Sequence, residues 1–161
     1  PLTQLITQNT MLVRLREKIE NSRHNGFPFA IMIINLAEFK HKNRLLDYEF
    51  DAIVRAVADF LKHDTRSGVD ILSRTTEHEF LIAMPGATLK KAEELAQQFK
   101  RDISTNLKAP RDLTIAAQIG VAEYAAYAAV ADNRNAGTVE MVEELIQLAT
   151  INSLPAQQQL T

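Results

Sequence analysis

The sequence predicts an α+β fold with a ferredoxin-like core, in which helices flank a central, mainly antiparallel sheet of about five strands. Three observations carry that expectation. Apolar runs of strand length are interleaved with segments of helical periodicity instead of being gathered in blocks. Two of the runs, residues 70–74 and 79–84, are separated only by the polar stretch Thr75-Thr76-Glu77-His78, which implies a hairpin. A third, residues 29–34, is continuously apolar between Pro28 and Asn35, as a strand buried on both faces must be, and so belongs in the middle of the sheet. The helices are expected mainly on one side of it.

The elements follow in order. Met11, Leu12, Leu15 and Ile19 recur at helical spacing between charged residues, and Asn25-Gly26 closes this first helix. After the strand at 29–34 come a short helix over 37–46 and a longer one over 51–63, the latter with Ile53, Val57, Phe60 and Leu61 on its apolar face. A turn at Ser67-Gly68 leads into the hairpin, which Pro85-Gly86 ends. Thr88 is placed to cap a helix running to Leu107, with Ala92, Leu95, Ala96, Phe99 and Ile103 as its buried stripe. Residues 113–122 form the next strand. A last helix runs from Gly137 to about Ser153, where Pro155 stops it. The alanine-rich stretch 125–131 and the Asp-Asn-Arg-Asn after it have no assignable structure.

Composition narrows the functional classes. A chain of 161 residues, 46% hydrophobic, can bury one core without covalent staples and is read as a single domain. The lack of cysteine excludes disulfides and thiolate metal sites and suits a reducing cytoplasm, the expected location. No apolar run approaches the ~20 residues needed to cross a bilayer. Eighteen basic and twenty acidic residues are interspersed, for a formal charge of −2, so no basic face invites a nucleic acid. The chain opens at Pro1 and ends in a glutamine-rich tail. It is therefore read as a piece of a larger multidomain protein, whose other parts could include a membrane anchor.

Several landmarks resemble one family in order. Pro1-Leu2-Thr3-Gln4-Leu5 resembles the DPLTGL opening of GGDEF domains, and Phe39-Lys40 with Asn43 resembles their FKxxN segment. Arg74-Thr-Thr-Glu-His-Glu79-Phe80 stands where that family has RxGGDEF, followed by Leu81-Ile-Ala-Met-Pro-Gly86, and Gln118-Ile119-Gly120-Val121-Ala122 is similar to its SIGVA strand. The resemblance spans nearly the whole chain. It implies a nucleotide-cyclase-like core and a place in cyclic di-GMP signalling. The family's activity joins two GTP molecules, each held by one domain of an antiparallel pair, with Mg²⁺ or Mn²⁺ bridging phosphate oxygens.

The positions that the resemblance makes catalytic carry other residues here. Asn35 and Ala37 stand where the family has two aspartates after its first strand, and His78 stands at the acidic third residue of the GGDEF motif. An amide, a methyl and an imidazole do not replace carboxylates around a hard cation. Thr76 and Glu77 replace the two glycines, which allow close phosphate approach and special backbone geometry. A Glu77 carboxylate ~4 Å from a phosphate charge would cost roughly 4 kcal/mol at an effective dielectric of ~20. Glu79 and Phe80 match the motif's last two residues, and Gln157 aligns with a phosphate-binding Lys. Of the guanine-reading pair, Asn43 matches, and Asp51 does so if the loop is one residue shorter, which puts Phe50 at the preceding Gly. Asp70 fits the Asp of the family's inhibitory RxxD site, but Ser67 occupies the Arg position and Arg66 lies one residue early.

Plainer roles stand beside these. Asn35 could cap the following helix, His78 could be an exposed turn residue, and Lys40 and Arg44 could contact phosphate or form a solvated helix face. Arg74 could anchor the hairpin, touch a nucleotide or pair with an acid. The resemblance and its departures together imply an inactive homologue of the cyclases, with no metal or other cofactor. Its role would be regulatory or protein-binding, alongside a sensor or EAL-type phosphodiesterase domain, another signalling protein or a second copy. The alternatives are a nucleotide-binding effector, taking GTP weakly at Asn43 and Asp51 or cyclic di-GMP near Arg66 and Asp70, and a residual cyclase.

Overall fold

A computed structural model describes residues 8–124 and 138–153. The opening Pro1-Leu2-Thr3-Gln4-Leu5, the connection at 125–135 and the segment holding Pro155 and Gln157 lie outside these. The order is α1 (Gln8–Asn25), β1 (Phe29–Asn35), α2 (Ala37–Lys42), α3 (Asp47–Asp64), β2 (Ile71–Thr76), β3 (Glu79–Pro85), α4 (Leu89–Asn106), a 3₁₀ turn (Pro110–Asp112), β4 (Gln118–Glu123) and α5 (Thr138–Ser153). The strands form one antiparallel sheet in the order β2-β3-β1-β4. No helix among the described residues is long and apolar enough to cross a membrane.

Among the described residues the sheet thus has four strands, not about five. The expected strand at 113–122 is also shorter and later than its apolar pattern suggested. Asn35, the last residue of β1, pairs with Gln118, so the residues upstream of Gln118 run past the end of β1 and find no ladder partner there.

Helices cover both faces of the sheet, which corrects the one-sided arrangement. Ala30, Met32 and Ile34 of β1 and Phe80, Ile82 and Met84 of β3 pack with Ile53, Val54 and Val57 of α3 and Ala92, Phe99 and Ile103 of α4. The alternate residues, Phe29, Ile31 and Ile33 with Leu81 and Ala83, pack with Met11, Leu15 and Ile19 of α1 and Leu145 and Ala149 of α5. This is the period-two pleat at work: a strand apolar at every position needs an apolar layer on each side. At Gly120 the sheet and α5 meet backbone to backbone, since an added Cβ would lie 2.0 Å from the Ala149 carbonyl oxygen.

Helix starts and stops have local causes. The Thr88 hydroxyl accepts from the Lys91 N–H at 3.2 Å, the N-cap expected from sequence. α3 begins earlier than residue 51 because Glu49, its third residue, accepts the Leu46 N–H at 3.0 Å. That is half of a capping box, with a leucine where the sequence signature has Ser or Thr. α2 ends before residue 46 in a Schellman turn: Leu45 N–H donates to the Lys40 carbonyl at 3.1 Å and Arg44 N–H to that of His41 at 3.2 Å. The left-handed position of this turn, usually Gly or Asn, is Arg44, with φ 49°.

Candidate functional site

The end of β1, the short α2, the start of α3 and the β2–β3 turn converge at one edge of the sheet. β1 and β3 place Asn35 opposite Glu79. Asn35 closes an Asx turn, its Oδ1 accepting the Ala37 N–H at 2.8 Å, and its Nδ2 donates to Glu79 Oε2 at 3.3 Å. The other Glu79 oxygen accepts from the Thr75 hydroxyl at 2.8 Å. The Glu79 carboxylate is therefore engaged on both oxygens by neutral neighbours. Between Asn35 and α2, the Leu36 N–H donates to the His78 carbonyl at 2.8 Å and ties the turn to the end of β1.

The hairpin turn is tighter than expected. The β2 strand continues through Thr76, which pairs with Glu79, and an irregularity between Arg74 and Thr76 absorbs the extra residue, leaving Glu77 and His78 as the loop. Neither Thr76 nor Glu77 has a φ in the left-handed region, so this turn makes no demand for glycine at those places. Glu77 is exposed. Arg74 anchors the turn, its Nη2 donating to the Glu77 carbonyl at 2.6 Å.

His78 is half-buried, not a free turn residue. Its ring lies 5.4 Å from that of Phe50, tilted by 38°. The Lys40 ammonium sits 5.0 Å from the centre of the same Phe50 ring and 3.3 Å from Asp47. Phe50 is buried beneath both. Over this layer opens a depression of about 650 Å³ lined by Ala37, Lys40, His41, Arg44, Leu45 and His78. Asn43 ends α2 with its amide Nδ2 turned back onto the Phe39 carbonyl at 2.9 Å, and Asp51 is exposed on α3. No hydrogen bond joins Asn43 and Asp51 among the described residues.

Glu49 and Arg111 belong to the support of this edge. Arg111 donates to both Glu49 oxygens, at 2.9 and 3.0 Å, and to the Asn43 carbonyl at 3.3 Å, clipping the 3₁₀ turn to the start of α3. The Leu46 N–H, and after it the Arg111 guanidinium, hold the Glu49 carboxyl below its ordinary range against the opposing effect of burial. Sequence reasoning had no means to find this pair, which is 62 residues apart.

On another edge the structure does bring Arg66 and Asp70 together. Arg66 Nη2 lies 2.6 Å and Nε 3.1 Å from Asp70 Oδ1, the Arg66 N–H donates to Oδ2 at 2.8 Å, and Nη2 also reaches the Pro85 carbonyl at 3.0 Å. The Asp70 side chain is 3% exposed. Both residues line a cleft of about 350 Å³ with Lys91 and Leu95.

The family described as diguanylate cyclase, GGDEF domain, matches residues 1–139. The chain belongs to the GGDEF family. Solved structures of GGDEF proteins share the fold. A sensory box/GGDEF family protein from Caulobacter crescentus is similar with a TM-score of 0.72 at 22% identity, over 94% of this chain and 92% of that one. The GGDEF domain of PA1120 (YfiN or TpbB) from Pseudomonas aeruginosa gives 0.74 at 18% identity, over 94% and 91%. The diguanylate cyclase SiaD of Pseudomonas aeruginosa, solved with its activator SiaC, gives 0.67 at 22% identity, over 89% of this chain and 56% of SiaD. At such identities the likeness speaks for the fold, and the function must be argued from this chain's own residues.

The edge holding Asn35, Ala37, His78 and Glu79 is the one that the sequence resemblance sets against the family's motif. Its donor set here is an amide, a methyl, an imidazole and one carboxylate bonded on both oxygens. That set is a poor fit for Mg²⁺ or Mn²⁺, hard cations that carboxylate oxygens hold together with water and phosphate, since it offers a single carboxylate.

Proposed function

We propose that this chain is a non-catalytic GGDEF domain that acts in cyclic di-GMP signalling through partner domains or proteins. The observation that carries this reading is the state of Glu79. It is the one acidic residue kept from the motif, and Asn35 and Thr75 each donate a hydrogen bond to one of its oxygens. With Asn35, Ala37 and His78 around it, no second carboxylate is supplied, so the charge needed to hold a metal–triphosphate is missing. Phe50 and His78, their rings in tilted contact, stand where the family pattern has a glycine and an acid.

Association with partners fits the neighbouring structures: one is a sensory box/GGDEF protein and another was solved with an activator protein. The same fold, in DgcB of Caulobacter crescentus, has been solved with cyclic di-GMP. In this chain the Arg66 fork is already spent on Asp70 and the Pro85 carbonyl, so a product bound there would first have to break a bidentate ion pair. That disfavours an effector role at Arg66 and Asp70. The Asn43 amide, bonded to the Phe39 carbonyl, must likewise turn outward before it could read a base with Asp51. The test is incubation of the purified chain with GTP and Mg²⁺ or Mn²⁺ at high protein concentration, with chromatography of the products. No cyclic di-GMP above a heat-killed control is expected, and measurable turnover would overturn the reading.

A further inference from the structure

We propose that the outer edge of β4 is a homodimer surface, where a second copy of this chain adds its own β4 antiparallel across a twofold axis. The result is one continuous sheet through both copies. β4 is the last strand in the order β2-β3-β1-β4, so one side of its backbone has no strand partner among the described residues. The other outer strand, β2, is irregular between Arg74 and Thr76, a distortion that spoils an edge for further pairing. β4 has no such guard: its register with β1 is unbroken from Gln118 to Glu123, and it contains no proline. The Val121 carbonyl accepts from the Asn152 amide at 2.8 Å, a contact that the N–H of a partner strand can replace.

The flanks of this edge suit a second copy. A depression of about 320 Å³ runs along it between α4 and α5, with Glu93, Gln97, Ile119, Gly120, Val121 and Asn152 in its lining. α4 runs antiparallel to β4: the Leu89 N–H at its start bonds Glu123 at the end of the strand, and Lys100 shares a depression with Gln118 at the strand's start. Glu93 and Lys100 thus lie on either side of the strand's middle, both exposed and neither with an ionic partner among the described residues. A twofold axis near Gly120 sets the two α4 helices side by side and antiparallel, so that Glu93 of each copy meets Lys100 of the other. A flank that carries both signs in this order is self-complementary, which a partner of one charge sign does not match. On the opposite face, Leu148 and Ile151 of α5 are 37% and 47% exposed. Leu148 lies one turn from Asn152, and so on the β4 side of its helix. Two copies bring these apolar side chains together beneath the joined sheet.

A second copy is one of the partners open to the domain under the reading above, and that reading would stand if the chain proved monomeric. The test is sedimentation equilibrium of the chain over micromolar to millimolar concentrations, with amide hydrogen exchange measured at both ends of the range. The expected result is a reversible monomer–dimer equilibrium in which the amides of residues 119–121 exchange more slowly in the dimer. Glu93→Lys and Lys100→Glu should each weaken dimerisation about tenfold or more, because each turns two attractions into repulsions. The variant carrying both should recover the affinity of the parent. Both positions are exposed, so Tm should be unchanged in all three and lost association would not be lost folding. The proposal is overturned by a monomer at every concentration, including one whose 119–121 amides are already protected, which would mean that the chain covers its own edge. A dimer whose 119–121 amides exchange as in the monomer would place the contact on another face and overturn it too, as would a double variant that stays as weak as the single ones.

Discussion

Asn35 and Arg44 show how single side chains decide what this edge of the molecule can do. Asn35 satisfies the Ala37 N–H and steers one Glu79 oxygen; the sequence offered it as the cap of the following helix, but Leu36 holds the N-cap position and Asn35 closes an Asx turn before it. Arg44 looked like one residue of a solvated helix face, because nothing in its type announces a left-handed conformation. Replacing it with glycine should raise stability by about 0.5–1 kcal/mol, as measured by denaturant unfolding, since glycine adopts this backbone without a Cβ clash. Gly120 is the opposite case. A Cβ there would meet backbone of α5 on two sides, 2.0 Å from Ala149 O and 2.2 Å from Ser153 N, and backbone cannot rotate away. Gly120→Ala should therefore cost about 3 kcal/mol or more. An unfolding midpoint equal to that of the parent would show that α5 does not press on β4 as described.

The elements themselves were largely readable, because strand and helix periods differ and the chain keeps them apart. The hairpin, the Thr88 cap and the central β1 all follow from local pattern. Boundaries were missed where a distant or untypical residue sets them: α3 starts early because Glu49, braced by Arg111, takes the Leu46 N–H, and no Ser or Thr signals it. The 3₁₀ turn is fastened to α3 through this pair even though Arg111 and Asp112 both have left-handed φ, 60° and 55°. The Glu49 carboxyl has its folded value lowered, so its stabilising contribution is present above the ordinary carboxyl value of 4.5 and is lost as pH falls through the lowered one. Glu49→Gln should accordingly lower Tm at pH 7, and the gap from the parent should close as the pH falls below about 4. A gap independent of pH would assign the effect to packing instead.

At the scale of the whole molecule, the fold was legible and its two-sidedness was the part misjudged. An uninterrupted apolar β1 already required cover on both faces, yet α1 and α5, the helices that supply the second layer, lie at opposite ends of the described chain. The candidate site was legible as a set of departures from the GGDEF pattern. Its assembly was not, since the contact of His78 with Phe50 and the placing of Lys40 above that ring exist only once the hairpin and α3 are folded together. The glycine positions also proved less demanding than the pattern suggested, because the turn accepts Thr76 and Glu77 without left-handed backbone. What remains of the argument against catalysis is charge: one acid, hydrogen-bonded on both oxygens, where the family pattern supplies several. The most direct measurement is chromatographic quantification of cyclic di-GMP made from GTP with Mg²⁺ or Mn²⁺, comparing the unmodified chain with a variant carrying Asn35→Asp, Thr76→Gly, Glu77→Gly and His78→Asp together. The account predicts no product from the unmodified chain, and any product confined to the fourfold variant; cyclic di-GMP made by the unmodified chain above a heat-killed control would contradict it.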